Sequence, residues 1–322
     1  NNKSKFLSCF VGIASIALFL FAGINNKSTY SISLCYTNYD GNAYYNSINK
    51  SKTGYEFLKE LQDLNSQKLK HLVGYNNMTK NFSQTDYISS GSSKISAFYS
   101  GTQTTTKNIN REHVWPCANS DELWSHQGSN SDIHYVDNSS YFGGGSDLYH
   151  IRTANSDVNT ARGSSKFVDF DDPEFKNTAD IMEYGEANGL YKIKISGYSL
   201  TNAGKPQYST KCEPDDNMKG DIARIIAYVW VHYTKRGDTP EGVAKSGSKT
   251  LNFNDLVGKL TLNNIMGYED NKAKEVLAEW NRIDPPSEVE ILRNNTVQKI
   301  QGNRNPFVDY PHLIDNLFNI DW

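Results

Sequence analysis

The stretch NREHVWP at residues 110–116 decides how this sequence is interpreted. Two later stretches, SDLYHIR at 146–152 and DVNTAR at 157–162, share its concentration of charged, amide and histidine side chains. Each stretch alone fits an ordinary structural role, such as a solvated strand edge or a turn. Together they contain the side chains that metal-assisted hydrolysis of a phosphodiester needs, so the combination predicts a catalytic site.

Local patterns place these side chains on two strands and one helix. Residues 109–115 read as a short strand that stops at the following proline, and residues 148–151 are a second strand candidate. Residues 155–162 are typical of a short helix that a glycine ends. Three side chains at positions i, i+4 and i+7 share one face of that helix: Asn155, Asn159 and Arg162.

Phosphodiester hydrolysis needs a cation on the phosphate oxygens, a base for the attacking water, and positive charge for the transition state. Glu112 and Asn159 offer the oxygen ligands that Mg²⁺ takes, with Mn²⁺ or Ca²⁺ as alternatives. His113 is suited to general-base catalysis near neutral pH. Consecutive strand residues point to opposite faces, so Glu112 and His113 can share a site only where the strand ends or bends. Three arginines can donate to phosphate: Arg111, Arg152 and Arg162.

The rest of the sequence predicts an α+β fold, a mostly helical catalytic domain over residues 51–322 around a small β-rich centre. Residues 191–195 alternate in polarity as a strand does. Helical spacing and capping motifs predict helices from Thr53, over 219–236, over 271–283, and from Ser287 to near Gly302.

Composition excludes several classes of protein. The chain has 322 residues, 12% of them aromatic, with 33 basic residues against 36 acidic ones. This content does not fit a wholly disordered chain, and a net charge of −3 does not fit a uniformly basic nucleic-acid-binding protein. A single long apolar run excludes a multi-span membrane protein.

That apolar run, residues 6–24, carries no charged side chain and follows two lysines. It predicts either a cleaved secretory signal or an uncleaved membrane anchor over residues 1–24. In both cases the remainder is exported, to the medium or to the cell surface. Residues 25–50 are rich in Asn, Ser and Tyr and read as a linker.

Two further features have structural interpretations. Residues 117–146 are polar and acidic and read as a solvated loop insertion. Of the four cysteines one lies in the apolar run, and one disulfide, Cys117–Cys212, is a possible pairing in an oxidising setting.

REHVWP, SDLYHIR and DVNTAR, in this order, resemble segments of the endonuclease I family of secreted, non-specific nucleases. KGDIAR at 219–224 and KIQGNRNPF at 299–307 are also similar to family segments, so the resemblance covers roughly residues 50–310. It implies a ββα-metal motif (a His-Me finger), in which two strands and a helix surround one divalent cation.

The resemblance also implies roles for single residues. Glu112 and Asn159 match the metal ligands, His113 matches the general base, and Arg162 matches an arginine near the metal-bearing helix. His150 lies in the second strand motif and is expected to contact substrate. In the last segment, Arg304 is expected near the site as a phosphate contact.

This chain departs from the family pattern in two places. Tyr149 stands where many relatives have histidine. Some relatives carry a phosphate-binding arginine in the segment after the base, but residues 117–151 here contain no Lys or Arg. We therefore expect Arg152 or Arg162 to take that role.

The sequence thus predicts an exported, divalent-metal-dependent endonuclease that cuts DNA, and also RNA, with little sequence specificity. Its partner is nucleic acid, contacted mainly through phosphates; a membrane is a partner only if residues 6–24 stay uncleaved, and no protein partner is inferred. Two alternatives remain open. One is a surface adhesin or ligand-binding protein with a degenerate nuclease fold, and the other is a metal-dependent phosphodiesterase for small nucleotides.

Overall fold

Short strands occupy the centre of the chain, and most of the longer helices lie towards its ends. The computed structural model describes residues 41–73, 75–87, 94–107, 109–116, 143–234, 243–246, 249–252 and 260–320. All of them belong to one unit, Asp40–Trp322. The predicted signal or anchor, residues 25–40 of the linker, Cys117 and most of the acidic loop lie outside these ranges. None of the helices described is both long and apolar enough to cross a membrane.

The α+β class is confirmed, and the predicted helices form close to their expected bounds. The α-helices described are α1 (Gly41–Tyr44), α2 (Gly54–Lys68), α3 (Met78–Thr85), α4 (Ser156–Arg162), α5 (Asp216–Tyr233), α6 (Asp270–Ile283), α7 (Glu288–Gln301), α8 (Pro306–Asp309) and α9 (Leu313–Phe318). The side chain of Ser287 accepts the backbone N–H of Glu290 at 3.2 Å, which satisfies one of the unpaired donors in the first turn of α7.

Short strands pair into several small sheets. The strands described are β1 (His71–Leu72), β2 (Ile95–Ser96), β3 (Gln103–Thr104), β4 (Asn110–His113), β5 (Ile151–Ala154), β6 (Lys166–Phe167), β7 (Met182–Tyr184), β8 (Ile193–Ser196), β9 (Ser199–Leu200), β10 (Pro206–Gln207), β11 (Lys211–Glu213), β12 (Val243–Ser246) and β13 (Lys249–Asn252). The largest sheet has the order β6-β11-β8-β7, and β4 and β5 form a separate antiparallel pair.

The second strand of that pair begins later than residues 148–151 predict. Asp147 begins a turn that precedes this strand: its side chain accepts the N–H of Tyr149 at 2.8 Å, and its carbonyl accepts the N–H of Ile151 at 2.8 Å. Asp side chains stabilise turns in this way. Leu148 and Tyr149 are buried in this turn, which explains why apolar residues occur there. The second strand of the pair is therefore β5, after the turn.

Helix α5 forms the centre of the helical layer and packs against α2 and α6. Apolar side chains on most of its surface are buried, among them Ile222, Ile226 and Val229. Gly220 is required near its start, because a Cβ there would lie 1.8 Å from the carbonyl oxygen of Asp284. The close approach lets Arg224 donate to that carbonyl at 2.7 Å, so the end of α6 is fixed to α5.

The packed region begins before residue 51. Tyr44 and Tyr45 are buried, and the hydroxyl of Tyr45 donates to Asp309 at 2.5 Å. Residues 44–50 therefore belong to the domain, although their composition resembles a linker. Cys212, in β11, is a free thiol, and burial raises its pKa to about 12.

Candidate active site

The three sequence stretches meet where β4 ends. Strand β4 pairs antiparallel with β5, with Glu112 opposite Arg152 and His113 opposite Ile151. One residue, Asn155, joins β5 to α4, and its side chain accepts the N–H of Asp157 at 2.8 Å as the N-terminal cap of the helix. Two strands and a helix thus follow one another in this region, and their use as a ββα-metal motif stays a prediction.

Glu112 is the buried carboxylate of this group, with 3% of its surface exposed. Its Oε1 accepts the hydroxyl of Tyr99 at 2.7 Å and lies 3.3 Å from a guanidinium nitrogen of Arg162. Burial raises the pKa of Glu112, and the charge of Arg162 and the hydrogen bond from Tyr99 oppose that rise. Both of these side chains contact Oε1, and the carboxylate also accepts the backbone N–H of His113.

Tyr99 was not predicted as a site residue. It is fully buried and has a φ of 68°, in the left-handed region that few residues other than glycine adopt. Such a conformation persists only when the surrounding structure fixes it, and it often accompanies function. The sequence offers one weak sign of it, the turn that Ser100 and Gly101 continue.

Arg162 connects α4 to the end of β4. Besides Glu112, its guanidinium donates to the backbone carbonyls of His113 at 3.3 Å and of Val114 at 2.6 Å. The side chain is fully buried. This geometry supports a role in positioning the site, since the terminal nitrogens are already bonded to the protein.

His113 is the last residue of β4, so the strand ends where a shared site with Glu112 requires it to end. Its ring stacks on Tyr75, with centroids 5.4 Å apart and planes 20° apart. Arg111 contacts the same tyrosine: the guanidinium carbon lies 3.7 Å from the ring centroid, and one nitrogen donates to the Tyr75 carbonyl at 2.8 Å. Arg111 and His113 alternate with Glu112 along the strand, as strand geometry requires.

Asn159 lies half-buried in the middle of α4. It is one turn from Arg162, so both side chains lie on the same side of the helix. No hydrogen bond of the Asn159 side chain is seen among the residues described. Within the described part of the chain, its amide oxygen is available to a ligand.

His150 is fully buried, and its contacts differ from those of a substrate-binding residue. Its Nε2 accepts the N–H of Trp115 at 2.9 Å, so Nδ1 carries the proton and donates to the Gly144 carbonyl at 2.8 Å. Burial lowers the pKa of His150 to about 4, which keeps the ring neutral. The histidine fixes the chain just after His113, and both of its ring nitrogens are engaged within the protein, so its expected contact with substrate stays a prediction.

Arg304 is also fully buried. Its guanidinium donates to both carboxylate oxygens of Asp309, at 2.7 and 2.6 Å, and to Gln298 at 2.8 Å. These bonds hold the turn after α7. The expected phosphate contact at Arg304 thus finds no support in the geometry, because all three guanidinium nitrogens are engaged within the protein.

Arg152 is placed differently from the two buried arginines. Its Nε lies 3.3 Å from Asp86, and its guanidinium carbon lies 4.3 Å from the centroid of Phe98. Its two terminal nitrogens bond to none of the residues that the structure describes. Arg111 and Arg152 are therefore the site arginines best placed for a substrate phosphate.

The donor set fits a hard divalent cation. The described residues contain no cluster of three or more His, Cys, Asp or Glu side chains that would hold a metal on its own. Magnesium, however, is usually bound through one or two carboxylates, with waters and substrate phosphate completing its coordination. Oε2 of Glu112 and the amide oxygen of Asn159 suit such a sparse oxygen site.

Comparison with known proteins identifies the family of the chain. The model of the family described as endonuclease I matches residues 36–312. The extracellular ribonuclease of Bacillus subtilis (strain 168) is 33% identical over 210 residues, which are 65% of this chain and 54% of that protein. The extracellular ribonuclease of Bacillus amyloliquefaciens is 32% identical over 210 residues, 65% of this chain and 53% of that protein. The chain thus spans about half the length of these curated relatives.

Proposed function

Because the chain belongs to the endonuclease I family, we propose that it is an exported, divalent-metal-dependent nuclease that hydrolyses phosphodiester bonds in DNA and RNA. One observation carries the proposal: Arg162 of α4 binds both the Glu112 carboxylate and the His113 carbonyl. This bond holds the helix that bears Asn159 against the strand end that bears the carboxylate and the imidazole. The name of the two relatives, extracellular ribonuclease, favours export and adds RNA as a substrate.

Glu112, through Oε2, and Asn159, through its amide oxygen, would hold the cation. When bound, the cation supplies positive charge next to the phosphate and the leaving 3′ oxygen, where negative charge develops. The buried position of Glu112 favours this use, because a carboxylate attracts a cation more strongly where water is excluded. Tyr99 and Arg162 keep the carboxylate in one orientation by holding its other oxygen.

His113 would accept a proton from water at an imidazole nitrogen. The water would then attack phosphorus in line with the leaving 3′ oxygen, giving a 5′-phosphate end. Stacking on Tyr75 fixes the plane of the ring, and the bonds of Arg162 and His150 fix the backbone on either side of Val114. Such support keeps the base in one position during the reaction.

Substrate binding would rest on phosphate contacts. Arg111, next to the base, and Arg152, opposite Glu112, can each donate to a phosphate oxygen. Phosphate contacts position a nucleic acid without reading its sequence. We therefore expect cleavage with little sequence preference, which agrees with the absence of a base-reading motif from the sequence.

Plasmid cleavage tests the proposal. Supercoiled plasmid and a structured RNA are incubated with the full chain and Mg²⁺, with and without EDTA; cleavage that EDTA abolishes is expected. His113→Ala should lower the rate by about 10²–10⁴-fold, the usual cost of losing a general base, while DNA binding persists. His312→Ala, an exposed histidine before α9, is the matched control and should cleave normally.

Near-normal cleavage by His113→Ala would remove that residue from the mechanism. Cleavage that is unaffected by EDTA would refute the metal requirement. Hydrolysis of a small diester without nicking of plasmid would instead support a phosphodiesterase for small nucleotides.

A further inference from the structure

A cleft with a volume of about 350 Å³ opens beside β5, around Arg152, one of the two arginines proposed above to bind substrate phosphate. We call it the Arg152 cleft. Its volume lies at the lower end of the roughly 300–1,000 Å³ that small-molecule sites usually occupy. The side chains that matter here are Phe98, Arg152, Leu190, Tyr191, Asp221 and Asp284.

One side of the cleft carries an unbalanced positive charge. Asp86 pairs with two arginines, since Nε of Arg152 lies 3.3 Å and Nε of Arg293 lies 3.2 Å from the same Oδ1. Two guanidinium groups against one carboxylate leave a net charge of +1. The three side chains are 11%, 4% and 2% exposed for Arg152, Arg293 and Asp86, and neither arginine pairs with another acidic residue within the described ranges. A poorly hydrated excess charge of this kind favours an incoming anion.

Arg152 is built to receive that anion. Its guanidinium carbon lies over the ring of Phe98, 4.3 Å from the centroid, and its terminal nitrogens have no partner among the described residues. A guanidinium held by one nitrogen can still present its other two as a fork to phosphate oxygens. The fork is part of the cleft wall, so the anion would lie inside the cleft.

The other side of the cleft has an apolar edge, with two acidic side chains beyond it. Leu190, 74% exposed, and Tyr191 form an apolar and aromatic edge. Asp284 and Asp221 lie beyond them; one oxygen of Asp284 accepts the N–H of Gly220 at 2.9 Å, and one oxygen of Asp221 accepts Arg224 at 3.0 Å. Asp284 also accepts the N–H of Asp221, and Asp221 also bonds to the carboxyl group of Glu290. A carboxylate has about four acceptor sites, so each of the two can accept a further hydrogen bond.

We propose that the Arg152 cleft binds one nucleotide of the substrate strand, with the phosphate on Arg152, the base against Tyr191 and Leu190, and an amino group of the base donating to Asp284 or Asp221. The inference rests on the proposed function for its substrate class. The two sites are joined by β5, because Arg152 lies directly opposite Glu112. Carboxylates accept from the amino group of cytosine, whereas uracil offers a carbonyl at that position. The cleft therefore selects cytosine over uracil.

Mononucleotide binding tests this inference without catalysis. Calorimetry with the full chain in EDTA at pH 8 compares 5′-CMP, 5′-UMP, cytidine and inorganic phosphate. The pKa of Asp284 is raised to about 6 by burial and by Asp221, so this pH keeps it ionised. We expect CMP to bind about tenfold more tightly than cytidine or phosphate, and several-fold more tightly than UMP.

Variants assign the contacts. Arg152→Gln should weaken CMP binding about tenfold and still fold, because Asp86 keeps Arg293. Arg152→Lys keeps the positive charge but lacks the pair of parallel donors. Its affinity for CMP should therefore lie between those of the wild type and Arg152→Gln. Asp284→Asn should bring CMP down to the affinity of UMP and leave UMP unchanged. Lys176→Gln, an exposed charge outside the cleft, is the control and should bind as the wild type does.

Equal CMP affinity in Arg152→Gln and wild type, or phosphate that binds as tightly as CMP, would overturn the inference. The plasmid assay separates it from the proposed function. Binding that follows the expected pattern in a chain that cuts no plasmid would refute the nuclease proposal alone. Plasmid cleavage by a chain that binds no CMP would refute nucleotide binding in the Arg152 cleft and leave the nuclease proposal standing.

Discussion

At the scale of single residues, the site depends on which oxygen of Glu112 is engaged. Tyr99 and Arg162 both hold Oε1 of this buried carboxylate. These two contacts hold the carboxylate in one orientation, and in the proposed mechanism Oε2 is the oxygen that receives the cation. Residues that orient a metal ligand commonly affect metal affinity almost as much as the ligand itself.

Tyr99→Phe tests this orientation, because it removes the hydroxyl and keeps the buried ring. The Mg²⁺ concentration for half-maximal cleavage should rise about tenfold, with a smaller change in the rate at saturating metal. Calorimetry should show Mn²⁺ binding weakened by the same factor. Tyr149→Phe removes another buried hydroxyl, one that donates to the carbonyls of Asn294 and Asn303, and should leave metal binding unchanged. Equal shifts in both variants would show that Tyr99 is merely structural.

Residue types and spacing predict Glu112, His113 and Asn159 as one group, and β4 and α4, which carry them, pack against each other. They did not predict the surroundings of the arginines. Arg304 pairs with Asp309, five residues later, and Arg162 with Glu112, fifty residues earlier in the chain. A guanidinium that contacts phosphate and one that forms a buried ion pair look alike in a sequence. Only the packing separates Arg162 and Arg304 from Arg152.

At the scale of elements, local sequence signals predicted the helices, whereas the bounds of the strands depend on contacts between residues far apart in the chain. Helix α7 follows from the cap at Ser287, and α4 from Asn155 at one end and Gly163 at the other. Strand β5 was misplaced, because the turn at Asp147 depends on distant partners. The Asp147 carboxylate accepts hydrogen bonds from Tyr228 and Tyr233, both on α5, at 2.7 Å each.

Helix α5 also predicts how stability depends on pH. His232 is buried between the rings of Tyr228 and Tyr233, and burial lowers its pKa to about 4. The unfolded chain binds a proton at His232 more readily than the folded chain does. The stability that the neutral, buried ring contributes is therefore full above about pH 6.5 and is lost as the pH falls towards 4. Between those values His232 should add up to about 1.4 kcal/mol per pH unit to the slope of the unfolding free energy.

His232→Phe keeps a ring in this position and removes the titration. Urea unfolding at several pH values between 4 and 7 should therefore give a shallower slope for the variant than for the wild type. His150, with a pKa also lowered to about 4, continues to titrate in both proteins. Parallel curves would mean that His232 is not held neutral by the fold.

At the scale of the whole molecule, net charge does not explain binding to nucleic acid. The chain carries 33 basic and 36 acidic residues, so the attraction must come from local groups such as Arg111 and Arg152. The overall composition could exclude a uniformly basic protein, but it could not show where the local charge lies. That location depends on the pairing of each arginine in the fold.

Salt dependence tests the local charge. Duplex binding by His113→Ala should weaken steeply with salt, and adding Arg111→Gln should reduce the slope of log K against log salt by about 0.9, the value for one phosphate contact. Lys176→Gln in the same background is the control. The wild type should cut long unrelated duplexes at many sites. An unchanged slope, or one preferred cleavage sequence, would contradict binding through phosphates.

The central claim is that Glu112 and Asn159 hold one cation beside His113, and metal titration of plasmid cleavage tests it most directly. Asn159→Ala should raise the metal concentration for half-maximal rate and lower the saturated rate. Glu112→Ala should do both more severely, because it also removes a negative charge. The double variant should be little worse than Glu112→Ala alone, since residues that act as one unit are not additive. Fully additive losses, or an unchanged metal requirement in either single variant, would show that the two residues do not share a cation.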